Sequence, residues 1–302
     1  MKINEDSVKT YCGYVAIAGR PNVGKSTLLN HLLKQKISIT SRKPQTTRHR
    51  ILGIQTDGQY QCVFVDTPGF NSAENKALNR IMNETVLSVI ADVDLVLFVV
   101  DRFNFNRGDI QVLDLLKNIK IPTILAINKI DLVKTKNDLL PHIERLSSLF
   151  QFAEIVPISA STGYNLDLIE KLTTNFLPES PFLFPTDQIT DRSSRFLAAE
   201  LIREKITRQL GDEIPYEASV EIENFQDGEK IMNIGGLILV DKPGQKKIIV
   251  GKGGERLKKI GSVAREEMET IFGKKIMLRL WVKVKGGWAD DQRALQSLGF
   301  FD

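Results

Sequence analysis

Three observations predict an α/β domain followed by an α+β domain. Strand-length apolar runs alternate with helical patterns through the first 175 residues, a proline-punctuated stretch follows, and the element order then changes. In the first part, residues 14–18, 62–65, 95–100, 123–127 and 155–158 read as buried strands, because continuous apolar runs of this length suit a sheet covered on both faces. Between them, 26–33, 79–90, 109–118, 138–150 and 166–176 read as helices, giving a mostly parallel sheet with helices on both sides. Residues 177–185, LPESPFLFP, have no helical period and read as a linker. Beyond it come a helix at about 194–209, strands at about 217–224 and 231–240, helices flanking Gly251–Gly254, and a strand at 276–284. The expected division is therefore 1–178, a linker at 179–193, and 194–302.

Composition fits this reading. The chain has 302 residues, 42% hydrophobic and 26% charged, which excludes a disordered chain, a collagen-like repeat and a disulfide scaffold. Its two cysteines, Cys12 and Cys62, form no CxxC pair, and its three histidines are scattered, so neither a disulfide framework nor a zinc site is expected. A reducing, cytoplasmic setting follows. The first ten residues, MKINEDSVKT, lack the apolar centre of a signal peptide, and the run 95–100 is far short of a membrane span. The net charge of +4 is unevenly spread: +3 over 1–180, −6 over 181–241, +9 over 242–285 and −2 over 286–302.

The chemistry begins at residues 19–26, GRPNVGKS, which fit the phosphate-binding pattern GxxxxGK[ST] between a strand and a helix. Its glycines let backbone N–H groups wrap a phosphate chain. Lys25 is placed to reach the β and γ phosphates and Ser26 to hold Mg²⁺. Asn128-Lys129-Ile130-Asp131 follows the strand 123–127 and resembles the guanine-recognition element NKxD, whose carboxylate accepts two adjacent N–H groups that adenine lacks. Ser159-Ala160 resembles the element that supports the base through backbone N–H groups. Asp66-Thr67-Pro68-Gly69 resembles DxxG, with Asp66 meeting Mg²⁺ through water and the Gly69 N–H sensing the γ-phosphate. In the polar stretch Pro44–Arg48, one threonine is expected to ligate Mg²⁺, Thr47 in preference to Thr46.

These motifs point to GTP and GDP as ligands. The expected nucleotide-binding set is Gly19, Asn22, Val23, Gly24, Lys25, Ser26, Thr27, Asp66, Gly69, Asn128, Lys129, Asp131, Ser159 and Ala160. Lys25, Thr47, Asp66 and Gly69 are the expected catalytic residues, and Ser26, Thr47 and Asp66 the Mg²⁺ set. Where signalling GTPases place a water-orienting glutamine after the DxxG glycine, this chain has Phe70, so slow intrinsic hydrolysis is expected. Asn22 resembles the asparagine of GTPases that recruit K⁺.

In the second half, Gly251-Lys252-Gly253-Gly254 is a GxxG turn between two helical patterns, inside the +9 segment. A turn without β-carbons admits a nucleic-acid backbone, and flanking cations neutralise its phosphates. The expected RNA-binding residues are Lys246, Lys247, Gly251, Lys252, Gly253, Gly254, Arg256, Lys258 and Lys259. Trp281, Trp288, Phe300 and Phe301 are candidates for base stacking, with core packing favoured for Trp281. The element order is that of a type II KH domain. DNA is not an expected partner.

With SRKPQTTRHRILGI, DTPGF, NKID, DQITDR, GKGGERLKKIG, LWVKVKGGW and DDQRALQSLGF in order, the chain resembles the Era family of bacterial GTPases over essentially its whole length. The resemblance implies a P-loop GTPase domain joined to a KH domain. It also implies binding near the 3′ end of 16S ribosomal RNA, a role in 30S subunit maturation, and peripheral contact with the inner membrane. Members of that family also carry a hydrophobic residue after DTPG. An RNA-binding chaperone with structural GTP is the alternative. A GTPase of tRNA modification would need a further catalytic cysteine or cofactor domain, and none is read after Pro178.

Overall fold

The computed structural model describes residues 9–41, 43, 46–70, 77–210, 218–291 and 295–296. The described residues fall into two compact units, one within Met1–Ile37, Arg50–Asn71 and Glu84–Asp191, the other within Ser38–His49, Ser72–Asn83 and Arg192–Asp302.

The first unit is built on a six-stranded sheet. In chain order its elements are β1 (Tyr11–Ala18), α1 (Lys25–Leu32), β2 (Ile51–Asp57), β3 (Tyr60–Asp66), α2 (Ala77–Ala91, whose first residues group with the second unit), β4 (Leu95–Asp101), α3 (Arg107–Leu116), β5 (Thr123–Asn128), α4 (Leu139–Ser147), β6 (Glu154–Pro157) and α5 (Leu166–Thr174). The strand order is β2-β3-β1-β4-β5-β6, parallel except for the β2–β3 pair. All seven residues of β4 and all six of β5 are buried, which is why those strands read as unbroken apolar runs. The sheet's carboxyl edge, where the loops after β1, β3 and β5 emerge, is where an open parallel sheet places its ligands.

Two features of this unit depart from the sequence reading. β2 was not expected as a strand; it pairs antiparallel with β3 across the two-residue turn Gly58-Gln59, where Gly58 takes φ +55°. Most of the stretch expected as a linker is a strap bound to the first unit. The Cys12 N–H donates to the Pro178 carbonyl at 3.1 Å, and the Ile54 N–H to the Ile189 carbonyl at 2.8 Å. The fully buried Gln61 amide accepts from the Leu183 and Phe184 N–H groups at 2.9 and 3.0 Å. Phe182 and Phe184 pack on the core, so the first unit extends to Asp191. Both cysteines are buried, and burial pushes the Cys62 thiol up to about 12, leaving it unreactive.

The second unit holds α6 (Ser194–Gln209), β7 (Ala218–Asp227), β8 (Ile231–Val240), α7 (Pro243–Val250), α8 (Glu255–Phe272) and β9 (Lys275–Val284). β8 is central, antiparallel to β7 and parallel to β9. Glu217, expected to open β7, lies outside the described residues. The Ser193 hydroxyl caps α6 by accepting from the Phe196 N–H at 3.2 Å. α6 is buried nearly all round, including Glu200, Arg203, Glu204 and Lys205. Buried charges must be paired; Arg203 is bidentate to Glu200 at 2.7 and 2.6 Å, and Lys205 joins Glu204 at 2.7 Å and also Glu267.

Residues of the segment 38–49 pack along α6 in this unit, contrary to the expected division at 178. The Thr40 N–H donates to Glu204 Oε1 at 2.8 Å, and Arg208 donates to the Thr40 carbonyl at 2.9 Å. Arg203 donates to the Thr46 carbonyl, and Arg48 to the Ala218 carbonyl at 3.0 Å.

Candidate functional site

The loop after β1 is shaped by three residues with positive φ: Gly19 at +150°, Asn22 at +65° and Gly24 at +105°. A β-carbon on Gly19 would come within 2.4 Å of the Val99 carbonyl, and one on Gly24 within 2.3 Å of Asn128 Nδ2, so both positions require glycine. Such turns aim successive N–H groups at one point, which suits an anion. Lys25 opens α1 almost fully buried, with Nζ donating to the Gly19 and Arg20 carbonyls at 3.0 and 3.1 Å. Burial lowers the pKa of this ammonium to about 8, against the pull of the Asp66 carboxylate. Val23 is wholly buried, and Thr27 follows Ser26 on α1.

Asp66 ends β3 and accepts the Ser26 hydroxyl at 2.7 Å. A hydroxyl beside a buried carboxylate is a hard-oxygen donor set, the type that suits Mg²⁺. The Thr67 hydroxyl ties this element to the Ile17 carbonyl at 3.0 Å. A β-carbon on Gly69 would meet Pro21 N at 2.7 Å, so the Asp66–Gly69 turn runs directly against the phosphate loop. Phe70 packs against the apolar core and offers no polar group. Thr47 does not fall in the same unit as Ser26 and Asp66; it belongs to the segment packed along α6. Of the two threonines, Thr46 has its hydroxyl bonded to Ser41 and to the Lys43 carbonyl, both at 2.7 Å. Pro44 and Gln45 lie outside the described residues.

Asn128 joins the loops. Its Nδ2 donates to the Val23 carbonyl at 2.8 Å, while its Oδ1 accepts from the Lys129 and Ala160 N–H groups at 2.8 and 2.9 Å. Lys129, at φ +66°, reaches back to the Asn22 carbonyl at 2.7 Å and to Asp101 Oδ2 at 2.8 Å. The exposed Asp131 carboxylate accepts the Ser159 hydroxyl at 2.7 Å. The expected nucleotide-binding residues all lie in the first unit, whereas Thr47, expected in the catalytic and Mg²⁺ sets, lies in the second. Sequence reasoning did not single out Asp101, a charged residue closing the apolar strand β4, or Arg20 within the phosphate loop.

In the second unit the turn between α7 and α8 has Gly251, Gly253 and Gly254 at φ +73°, +59° and +84°. Nothing lies within 4 Å of a β-carbon placed on Gly253 or Gly254, so that side of the turn is open. A cavity of about 340 Å³ runs beside it between α8 and β9, lined by Gly254, Leu257, Lys258, Gly261, Leu278 and Leu280 among others. Lys246, Lys247, Lys252, Lys258 and Lys259 are exposed around the turn. Arg256 is exposed too, but its guanidinium donates to the Ile248 carbonyl at 2.7 Å and closes the end of α7. The stacking candidates sort differently from expectation. Trp288 is fully buried with Leu78, Met82 and Leu295, whereas Trp281, expected in the core, is 38% exposed. Phe300 and Phe301 lie outside the described residues.

Two known protein families match separate stretches of the chain. Residues 14–129 fit the family of 50S ribosome-binding GTPases, and residues 213–289 fit the KH domain family. GTPase Era of Ectopseudomonas mendocina (strain ymp) is 60% identical over 297 residues, covering 98% of this chain and 99% of its own. The chain belongs to the Era family of GTPases. Era of Azotobacter vinelandii is 58% identical over 291 residues, covering 96% of this chain and 97% of its own. A crystal structure of Era in complex with MgGDPNP and nucleotides 1506–1542 of 16S ribosomal RNA superposes with a TM-score of 0.93 at 40% identity, covering 96% and 99% of the two chains. Like other Era proteins this chain is a GTPase, with an N-terminal P-loop domain and a C-terminal type II KH domain. Among the described residues, no helix is long and apolar enough to cross a membrane.

Proposed function

We propose that this Era-family GTPase is a nucleotide-controlled RNA switch. It binds the 3′ region of 16S ribosomal RNA through its KH domain and assists maturation of the 30S subunit. The observation that carries the nucleotide half is the Asn128 clamp, one buried amide bonded to the phosphate loop at Val23, to Lys129 and to Ala160. Guanine would meet Asp131 and the Ala160 region, and the phosphates would meet Lys25 and the N–H groups of residues 19–27. Ser26, Asp66 and Thr47 would hold Mg²⁺, which when bound draws charge from the β and γ phosphates. Gly69 would sense the γ-phosphate through its N–H. Phe70 orients no water, so intrinsic hydrolysis is slow, and K⁺ held at Asn22 would supply part of the missing charge.

The RNA half is supported by the Era relative that carries 16S nucleotides and by the open GxxG turn with its exposed lysines. Such a turn clamps about four nucleotides, which suits a single-stranded 3′ segment. Thr47 lies in the segment that packs along α6, so ligation of Mg²⁺ by Thr47 gives GTP a means of biasing the second unit. The working place is the cytoplasm, with peripheral contact at the inner membrane; flotation with anionic vesicles tests the second part. The central test is the affinity for a 3′-terminal 16S fragment with GDP and then with a non-hydrolysable GTP analogue. Tighter binding with the analogue is expected. Equal affinities would overturn the switch, and no binding in either state would overturn the RNA assignment.

A further inference from the structure

Asp101, Arg102 and Asp109 lie outside the recognised motifs and meet Lys129 of the base loop and Arg20 of the phosphate loop. Asp101 ends β4, in register with Asn128 on β5. Its Oδ2 accepts Lys129 Nζ at 2.8 Å and its Oδ1 accepts Arg102 Nε at 3.1 Å. Burial works against this charge, but the hydrogen bonds from Lys129 and Arg102 hold the carboxyl below its usual range. The same Lys129 ammonium donates to the Asn22 carbonyl in the phosphate loop at 2.7 Å. Arg20, also in that loop, has Nη2 3.9 Å from Asp101 Oδ2 and donates to the Asn104 carbonyl at 3.0 Å. Its Nε is fixed at 2.9 Å from the fully buried Asp109, which also accepts from the Asn106 N–H at the start of α3.

Three non-glycine residues around this group have left-handed φ: Asn22 at +65°, Arg102 at +35° and Lys129 at +66°. Such conformations persist only where the surroundings over-determine them. Arg102 and Lys129 bond directly to Asp101, and Asn22 is held through Lys129.

We infer that Asp101 is a positioning residue that sets the separation of the guanine and phosphate subsites, by holding Lys129 against the phosphate loop and giving Arg20 a nearby counter-charge. This role rests on the nucleotide site proposed for the first unit. A ligand that spans two subsites gains from both only when they are held at its own span; a ligand using one subsite does not depend on that span. GDP spans both. Guanosine and pyrophosphate each use one.

The test compares these three ligands on the full chain with Mg²⁺ present. Asp101→Asn keeps the volume but removes the charge that Lys129 meets. GDP affinity, read by displacement of a fluorescent GDP, should fall about tenfold or more, as for loss of a buried hydrogen bond to a charged group. Guanosine and pyrophosphate, followed by ligand-observed NMR, should keep wild-type affinity. Equal loss for all three ligands would reduce Asp101 to a support of the fold and overturn the inference, and so would unchanged GDP binding. If Asp101→Asn does not fold, Asp101→Glu, which displaces the anion while keeping its charge, takes the same comparison with the same outcomes. Failure of the wild-type chain to bind GDP would instead overturn the proposed nucleotide site itself.

Discussion

The Arg48 guanidinium lies 6.0 Å from the centre of the Trp288 ring. Arg48 follows Thr46 and Thr47 directly, and Trp288 follows β9 at the end of the KH fold. The indole is fully buried against Leu78 and Met82 of α2 and against Leu295, and the Ala77 N–H donates to Asp290 Oδ1 at 3.1 Å. Among the described residues, α2 is the first helix after the DTPG element. Both segments expected to respond to the γ-phosphate therefore continue, in sequence, into contacts with one side chain of the second unit.

Replacing that side chain should separate the responses. Trp288→Ala removes a fully buried indole and should destabilise the second unit by about 3–5 kcal/mol, read as a lower urea midpoint. The ratio of RNA affinities with GTP analogue and with GDP should fall toward one. Trp288→Phe, which keeps an aromatic ring in the cluster, should restore most of both. A stable Trp288→Ala protein with an unchanged ratio would show that the indole only packs.

Lys25 makes nucleotide binding depend on pH. Its ammonium has a pKa lowered to about 8 by burial in the free protein, and bound phosphates favour the charged form. Free protein loses this proton above about pH 8 while the complex keeps it, so binding takes up a proton there. Affinity for GDP should be flat below about pH 8 and fall by up to about tenfold per pH unit above it. Calorimetry at pH 9 in buffers of different ionisation enthalpy should register the uptake, and Lys25→Met should abolish it.

His49 gives the second unit an acid-sensitive group. Its ring packs edge-on against Phe196 with centroids 5.2 Å apart. Burial lowers its pKa to about 4; Glu200 opposes the shift, while Arg203, Arg192 and Arg48 add to it. The unfolded chain protonates this ring below its ordinary 6.5, whereas the folded chain keeps it neutral until about 4. The unfolded state thus binds more protons in that window, and stability declines as pH falls through it, by roughly 3 kcal/mol in total. Urea unfolding at pH 7, 5.5 and 4.5 should show the decline, and His49→Phe should flatten it.

Local patterns carried much of this site. The GRPNVGKS loop, DTPG and NKID each fix their own backbone within a few residues, so their spacing could be read without knowing the fold. What escaped was set by distant partners. β2 exists because it pairs with β3, and the strap after Pro178 is held by a glutamine buried on β3. Thr40 and Thr46 sit with α6 because Arg203 and Glu204, which look like surface charges in the sequence, are buried there and need partners. Asp101 gave a weak signal, a single carboxylate at a strand end, and only the fold brings Lys129 and Arg20 to it.

The GxxG turn supports a prediction narrower than charge alone would give. Lys252, Arg256 and Lys258 all look like phosphate ligands in the sequence, but Arg256 also holds the last turn of α7 through the Ile248 carbonyl. Arg256→Ala would therefore mix lost RNA contact with a frayed helix. Lys252→Gln, Lys258→Gln and Lys259→Gln leave that bond intact. Each lysine that neutralises a phosphate contributes a salt slope of about 0.7 for single-stranded RNA. The triple variant should therefore bind the 16S fragment with a log–log salt slope reduced by about 2 and with affinity lost most at low salt. Its affinity for GDP should match the wild type, because the substitutions lie outside the unit that holds the nucleotide motifs. An unchanged salt slope would move the RNA site away from this turn.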